Sequence, residues 1–281
     1  MTLFTTTDDV KGISPDAIST LITLPVERQS VAAQVATVIP TNATRTHIPL
    51  VTADPSAAWV AEGAEITASD PTLDDVIVTP AKIAGLSIIT NELAADTSPA
   101  AAGIVGDGLS RDIARKIDAA FFGSKGASTV QPAGLEDLVG FSAVDGGTAW
   151  ANLDPFAEAL SNAEGLGLGV DSFVANPADA LILATLKESS TSQRPLLTPD
   201  PTQPAKRLLQ GVPLFVSSAV TEGTVWGIPK VRAILVRRND VDLAVDRSAY
   251  FTSDRTAIRA TMRVSFAFPH AAAIQKISLT A

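Results

Sequence analysis

The strongest constraint in the sequence is a periodic run of apolar residues between Ser98 and Gly123. Apolar side chains recur there at every fourth position, at Val105, Leu109, Ile113, Ile117 and Phe121. Because an α-helix has 3.6 residues per turn, this spacing places them on one face. Ser98 is a suitable N-cap, Pro99 suits the first turn, and Gly123 suits the end. The run predicts a helix of about six turns, a long strut for a chain of this size.

The outward face of this helix carries charges in a favourable order. Asp107 precedes Arg111, and Asp112 precedes Lys116, each pair at a spacing of four residues. Side chains four positions apart are neighbours on a helix, and the acid-before-base order stabilises it modestly. One face is therefore expected to pack into the protein while the other meets water.

Ahead of the helix, residues 46–90 predict a long hairpin. Strand-like sequence at 47–51 and a long irregular strand at 73–90 flank two turn signals, and Pro80 and Gly85 interrupt the second strand. The acidic tip and the start of the return strand carry Trp59, Glu62, Glu65, Asp70, Asp74 and Asp75. Such polar sequence leaves little to fold onto, so we expect the hairpin to project.

The rest of the chain alternates helices with strands, which makes the fold class α+β. Helices are predicted at 154–164 and 177–186, and strands at 172–175, 212–216, 233–237, 241–245, 256–266 and 272–277. Residues 1–45 show no sustained period beyond a short helix at 15–24. Residues 188–205 contain four prolines and predict a loop.

Composition allows a sizeable core and excludes several kinds of site. Of the 281 residues, 46% are hydrophobic, and the mean hydropathy is +0.25. Cysteine is absent, which excludes disulfides, thiolate metal ligands and a cysteine nucleophile. No apolar run is long enough to span a bilayer, and the first residues lack the basic and apolar regions of a signal peptide. We therefore expect a soluble protein.

Charge is divided unevenly along the chain. Residues 1–97 carry a net charge of −8, whereas residues 206–281 carry +6. Three interpretations stay open at this point. The two regions could form a self-complementary pair, within a chain or between copies. The basic end could instead contact phosphates, or the charges could simply be scattered for solubility.

Candidate catalytic and ligand residues are scarce. His47 and His270 lie far apart beside strand-like segments, and neither accompanies a Gly-x-Ser-x-Gly elbow. Glycine-rich stretches at 103–108 and 165–169 lack the strand-to-helix context of a phosphate-binding loop. The acid pair Asp74–Asp75 lacks further oxygen ligands at suitable spacing. We predict no catalytic residue, no metal site and no cofactor.

A dedicated nucleic-acid reader is not expected either. The arginines of the last quarter of the chain interleave with acids such as Asp240, Asp242 and Asp246. No aromatic platform with basic neighbours accompanies them, and the sequence pI is near 4.7.

Several short segments resemble, in order and spacing, those of one known family. AWVAEG (58–63), SDP (69–71), PAKIA (80–84) and ITNEL (89–93) resemble its extended-loop region. IDAAFFG (117–123) and QPAGL (131–135) resemble its spine helix and the following turn. VANP (174–177), LQGVPL (209–214) and the strand from Arg263 to Ala273 resemble its axial domain and return strand. The chain is thus similar to the Hong Kong 97-like major capsid proteins of tailed bacteriophages.

This resemblance implies a capsid fold in five parts. They are an N-terminal arm (1–45), the extended loop with peripheral-domain strands (46–97), the spine helix and peripheral domain (98–150), an axial domain (151–240) and return strands completing the peripheral domain (241–281). It also implies a structural protein rather than an enzyme. Hexamers and pentamers of the chain would form an icosahedral shell around double-stranded DNA, without sequence-specific binding or a membrane. Assembly would take place in the host cytoplasm.

In such a shell the acidic hairpin gains a partner. We hypothesise that Trp59 and the hairpin acids Glu62, Glu65, Asp70, Asp74 and Asp75 of one copy contact another copy. The candidate basic partners there are Arg232, Arg237, Arg238, Arg255, Arg259 and Arg263.

Two departures from the family pattern shape the remaining expectations. Residues 54–81 contain no lysine, and Lys82 lies at the base of the loop, so covalent crosslinking through the loop is not expected. The arm ahead of the loop is short, so we expect scaffolding by a separate protein, with a portal and a decoration protein as further partners. Two alternatives stay open: an encapsulin-like nanocompartment shell, and a cytoplasmic α+β enzyme.

Overall fold

The structure is a computed structural model that describes residues 26, 29–53, 55–63, 65, 67–91, 100–188, 192, 194–197 and 207–280. The helices are α1 (Val31–Val35), α2 (Ala100–Phe122), α3 (Asp154–Gly165) and α4 (Pro177–Thr185). The strands are β1 (Thr37–Thr41), β2 (Thr46–Ala53), β3 (Thr72–Val78), β4 (Ala81–Thr90), β5 (Ser142–Asp145), β6 (Ser172–Ala175), β7 (Leu208–Leu209), β8 (Val212–Val216), β9 (Thr224–Ile228), β10 (Ile234–Tyr250), β11 (Arg255–Ala267) and β12 (Gln275–Ser278). The expected helix at 15–24, the N-cap at Ser98 with Pro99, and most of the loop at 188–205 lie outside the described residues.

The long helix predicted from the apolar spacing is confirmed as α2, which has 23 residues. Ile113, Ile117 and Phe121 are buried on the face that meets the main hydrophobic core. The ring of Phe121 packs edge-on against that of Phe266, with centroids 5.1 Å apart. Each large side chain buried in this way stabilises the fold by about 1.5–3 kcal/mol, so the core face fixes the helix on the sheet beneath it.

The chain folds back tightly over the end of α2. A Cβ atom at Gly134 would lie 2.2 Å from the carbonyl oxygens of both Ala120 and Gly123. The carboxylate of Asp137 holds this turn by accepting hydrogen bonds from the backbone N–H groups of Lys125 and Gly134. Glycine alone leaves room for so close an approach, which is the physical reason for the Pro-x-Gly-Leu turn in the sequence.

Four strands form a mixed sheet in the order β1-β10-β11-β4. β1 pairs parallel with β10, whereas β11 lies antiparallel between β10 and β4. One face, which includes Leu235 and Phe266, packs against α2. The opposite face, which includes Val236, packs against Ile48 and Val78 at the base of the β2–β3 hairpin. The hairpin and the long helix therefore lie on opposite faces of one sheet.

The predicted hairpin is confirmed, but its return strand is shorter than expected. β2 and β3 pair antiparallel between Thr46–Val78 and Ala53–Thr72. The single strand expected at 73–90 is instead two strands, β3 and β4, separated at Thr79 and Pro80. Because proline has no N–H to donate to a ladder, it ends the hairpin strand. β4 then turns into the four-stranded sheet.

The two strands expected at 233–237 and 241–245 are one strand, β10, of 17 residues. Its register against β11 shifts between Arg238 and Asp242, where four positions on β10 span only two on β11. The expected break is wrong because extra residues bulge out of one strand without ending the pairing.

A second sheet of six strands has the order β5-β12-β9-β6-β8-β7. The predicted helices α3 and α4 are confirmed and cover one of its faces through Phe156 and Leu183. Asn176 caps α4 by accepting a hydrogen bond of 3.0 Å from the N–H of Ala178. The other face of the sheet joins the main core through Trp226 and its neighbours.

The six-stranded sheet crosses the expected part boundaries. β5 and β12, which fall in the ranges 98–150 and 241–281, pair with each other and, through β12, with β9. Both ranges therefore supply a strand to a sheet built mainly from residues 151–240. Strands of four residues that pair only with distant partners carry no local signal of sheet membership. The division into five parts stays a prediction.

The described part of the arm is ordered against the long helix. α1 and β1 lie within the range expected to lack periodicity, and β1 pairs with β10. The Asp118 carboxylate on α2 accepts hydrogen bonds from the Ser30 hydroxyl and from the N–H groups of Val31 and Ala32. A side chain from the long helix thus caps the short one.

Candidate inter-subunit surfaces

The tip of the β2–β3 hairpin projects into solvent. Every described residue between positions 55 and 71 is exposed, and Trp59 is exposed over its whole side chain (106%). The N–H of Ser56 donates a hydrogen bond of 3.0 Å to the Ser69 hydroxyl, which holds the two sides of the tip together. Tryptophan is enriched at protein interfaces because it contributes a large apolar area. The tip therefore presents an apolar anchor that its own chain leaves uncovered.

The structure divides the predicted loop acids into two groups. Glu62, Glu65 and Asp70 lie in the exposed tip, and residues 55–71 contain no basic residue. Asp74 and Asp75 lie instead on β3, in the wall of the hairpin. Asp75 pairs there with the Nδ1 atom of His47 on β2. The three tip acids therefore lie beyond the last paired residues of the hairpin, Ala53 and Thr72.

Three of the predicted arginines lie together on the hairpin-side face of the four-stranded sheet. Arg238 lies opposite Arg263 in the β10–β11 pairing, and Arg263 lies opposite Lys82 in the β11–β4 pairing. Arg259 follows on the same face, because side chains two positions apart on a strand point the same way. Like charges directly opposite each other on a sheet are destabilising. This basic row therefore favours an anionic partner.

A polar cleft of about 380 Å³ opens along the basic row. Lys82, Arg238, Arg259 and Arg263 line it, and Asp242 adds one carboxylate. Among the side chains that the structure describes, which do not include that of Asp240, no carboxylate oxygen lies within 4.0 Å of these four basic groups. The Nε–H of Arg238 is buried and has no acceptor among the described side chains. The described side chains that line the cleft therefore carry a net positive charge.

One acid at the far end of this face is held ionised. Hydrogen bonds from the hydroxyl and the N–H of Ser248 lower the pKa of Asp246 below its ordinary value, and Arg259 adds a smaller effect of the same sign. Asp246 therefore stays charged near Arg259 and partly balances that end of the row.

The other three candidate arginines lie elsewhere. Arg237 follows Leu235 by two positions on β10 and so faces the α2 side of the sheet. Arg255 shares the face of Arg259, but it lies at the start of β11, beside Tyr250 and Thr90, and does not line the cleft. Arg232 lies in the 3-10 turn before β10, and its buried Nε has no acceptor within the described part of the chain. The structure does not bring these three together with the basic row.

Sequence reasoning missed Lys82 as a member of the basic row. Lys82 lies at the base of the loop and is separated from the arginines by more than 150 positions. Only the antiparallel register of β4 on β11 places it beside Arg263. The sequence around Lys82 does not indicate which distant strand pairs with β4, so its position beside Arg263 could not be predicted.

Other chemistry in the described residues is sparse. No group of three or more His, Asp or Glu side chains there is arranged to hold a metal ion. His47 lies on the exposed hairpin, and His270 lies before the 3-10 turn at 271–273, in another part of the fold. In the described part of the chain, no helix is long and apolar enough to cross a membrane.

Comparison with known sequences identifies one family. The profile described as the phage capsid family matches residues 12–279, nearly the whole chain. No curated protein sequence matches the chain.

Comparison with solved structures gives the same fold. The capsid of an empty GTA particle, computed with C5 symmetry, aligns with a TM-score of 0.72 at 18% identity, covering 90% of each chain. A structure from Microbacterium phage Oxtober96 aligns with a TM-score of 0.72 at 18% identity, covering 89% of this chain and 91% of that one. One from Mycobacterium phage Adephagia gives 0.71 at 15% identity, with 90% of each chain covered. The fold class and architecture implied by the sequence resemblance are confirmed.

Proposed function

The chain belongs to the phage capsid family, and on that premise we propose that it is the major capsid protein of a tailed bacteriophage. Copies assemble as hexamers and pentamers into an icosahedral shell that encloses double-stranded DNA. The fold that it shares with a particle capsid and with phage structures supports a structural subunit. The protein is not an enzyme in this proposal.

The observation that carries this proposal is the hairpin tip. The β2–β3 hairpin holds Trp59 and three acids away from the body of the subunit, where the described chain offers them no contact. An isolated two-stranded hairpin is only marginally stable in water. A hairpin that projects from the subunit is therefore best explained by contact with the surface of another molecule. In a closed shell that surface belongs to the neighbouring copy.

The basic row supplies a surface of matching charge. We propose that the tip acids Glu62, Glu65 and Asp70 of one copy dock beside Lys82, Arg238, Arg259 and Arg263 of the next. Attraction between opposite patches steers association and fixes its register, and it weakens as salt screens the charges. The like-charge row, which is unfavourable in the separate subunit, becomes favourable when a neighbour supplies carboxylates. The charge pattern therefore favours assembly over the separate subunits.

The remaining partners belong to the same proposal. They are a separate scaffolding protein, a portal, a decoration protein and the packaged DNA, and the shell assembles in the host bacterial cytoplasm. The overall acidity of the chain, with a pI near 4.7, supports DNA enclosure without tight binding. Loop residues 54–81 contain no lysine, so the shell is held by non-covalent contacts. An encapsulin-like shell is not favoured, because the family match is to phage capsids.

Particle mass tests the proposal. Sedimentation of the purified, full-length protein under assembly conditions should give species in the megadalton range, together with free hexamers or pentamers. A single small oligomer at every concentration and salt level would contradict it, because an enzyme of this size closes into a small symmetric assembly.

A further inference from the structure

A second cleft, apolar in character, lies between α2 and the free edge of β4. It has a volume of about 320 Å³ and is lined by Ile83, Leu109, Ile113, Val130, Pro132 and Val264, among others. Val130, in the segment after α2, stands at its mouth with 69% of its side chain exposed. This volume is near the lower end of the range for small-ligand sites, so the cleft has room for one aromatic side chain.

The cleft exists because β4 is an edge strand that packs closely on the long helix. β4 pairs with β11 on one side and has no strand on the other among the described residues. Gly85 allows the close approach, since a Cβ atom there would lie 3.0 Å from a methyl carbon of Leu109. The sheet edge, the helix and the segment 128–132 together leave an apolar hollow that the other described residues leave open to solvent.

A subunit's own hairpin does not fill this cleft. The base of the hairpin packs on the face of the sheet opposite α2, through Ile48 and Val78. From Ile48, β2 continues for five residues at about 3.3 Å each, so the tip begins roughly 16 Å away from that base. Trp59 is fully exposed in the single subunit, so it makes no such contact there.

We propose that Trp59 of one copy inserts into this apolar cleft of a neighbouring copy. The inference rests on the proposed shell function and names the contact that anchors the loop. The tip supplies one large aromatic side chain, and the cleft supplies an uncovered apolar surface of matching size. Aromatic anchors that fill a pocket at the centre of an interface typically dominate its energy.

The charges around the cleft fit the residues that follow Trp59. Lys82 and Lys116 stand on its rim with one acid, Asp112, so the rim carries a net positive charge. Glu62 and Glu65 follow Trp59 within six positions, in a tip that carries no basic residue. Lys82 also lines the basic cleft on the other side of β4. A loop crossing the β4 edge can therefore place its tryptophan in one cleft and its acids at the other.

Tryptophan fluorescence provides a direct test on the full chain. Trp150 and Trp226 are 4% and 0% exposed, so acrylamide quenching in the separate subunit reports mainly on Trp59. On assembly, we expect the Trp59 emission to shift to the blue and its quenching to fall severalfold. The Trp59→Phe variant should lack this quenchable component, which confirms the assignment. Shells in which Trp59 remains fully quenchable would overturn the inference and leave the proposed function standing.

Variants of the tip and of the cleft test whether Trp59 binds in the apolar cleft. Trp59→Ala should raise the protein concentration needed for assembly by about thirtyfold or more, the effect expected for loss of an aromatic anchor. Val130→Asp, a surface change at the mouth, should also weaken assembly and leave Trp59 more quenchable. The matched control is Val139→Asp, at an exposed valine (88%) that lines neither cleft, which should assemble normally. Equal effects of the two aspartates would contradict docking in the cleft, whereas failure of the unmodified protein to form shells would remove the proposed function itself.

Discussion

The Ser30 hydroxyl donates a hydrogen bond of 2.6 Å to the Asp118 carboxylate, across 88 positions of sequence. The N–H groups of Val31 and Ala32 donate to the same carboxylate, at 3.1 and 2.9 Å. Both Ser30 and Asp118 are buried. One side chain of the long helix therefore fixes the point where the arm joins the body of the subunit.

Removing this carboxylate should loosen the arm. Asp118→Ala leaves one hydroxyl and two N–H donors, all buried or partly buried, without their acceptor, which we expect to cost about 3 kcal/mol of unfolding free energy. Urea unfolding of the separate subunit measures this cost. The matched control is Asp107→Ala, an exposed site on the same helix, which should be neutral or slightly stabilising. Equal stability of the two variants would show that Asp118 does not hold the arm.

The same residue should make stability depend on pH in a particular direction. Burial raises the pKa of Asp118 above 3.8, against the opposing effect of its hydrogen bonds from Ser30, Ala32 and Val31. A carboxyl whose pKa is raised in the folded state contributes most to the unfolding free energy at a pH below its unfolded pKa. This contribution is lost as the pH rises through the raised pKa. We compare the unfolding free energy of the unaltered protein with that of Asp118→Asn. The difference, unaltered minus variant, should therefore increase as the pH is lowered from about 7 to about 4.5. A difference that decreases on acidification would mean that the hydrogen bonds outweigh burial.

The turn after the long helix should not tolerate a side chain. In Gly134→Ala, the added Cβ would meet two carbonyl oxygens at 2.2 Å, so the turn must move off the helix end. We expect a loss of about 3 kcal/mol or more in the same unfolding assay. Gly165→Ala is the control, because nothing lies within 4 Å of a Cβ there and alanine favours the helix. A stable Gly134→Ala variant would contradict the tight turn.

Local features of the fold could be predicted from the sequence. α2 follows from its four-residue apolar spacing, and α3 and α4 follow from the Asp-Pro and Asn-Pro pairs that begin them. β11 follows from the alternation of apolar and polar residues in its sequence. In each case the signal lies within one continuous segment.

Features that depend on contacts between distant segments could not be predicted. β9 was missed because all five of its residues are buried, so it lacks the alternation that marks a half-exposed strand. The membership of Lys82 in the basic row depends on a register between β4 and β11. The apolar cleft depends on how closely α2 approaches the sheet edge at Gly85.

Reversing the charge of the loop should impair assembly, and a matching reversal on the sheet should restore it. Glu62→Lys with Glu65→Lys places two cations beside the basic row of the neighbouring copy, so we expect fewer particles by light scattering. Adding Arg259→Glu and Arg263→Glu should recover assembly. Glu158→Lys with Glu164→Lys, on the exposed face of α3, controls for net charge. Unchanged assembly and particle stability in the loop variant would contradict the docking.

Electron microscopy of the purified protein at low resolution tests the central claim most directly. We predict closed shells whose surface lattice shows five-fold and six-fold clusters of subunits, each cluster built from copies of this one chain. Particles of a single small size, with no closed shells at any concentration or salt level at which the protein stays folded, would contradict the assignment of this chain as a shell-forming subunit.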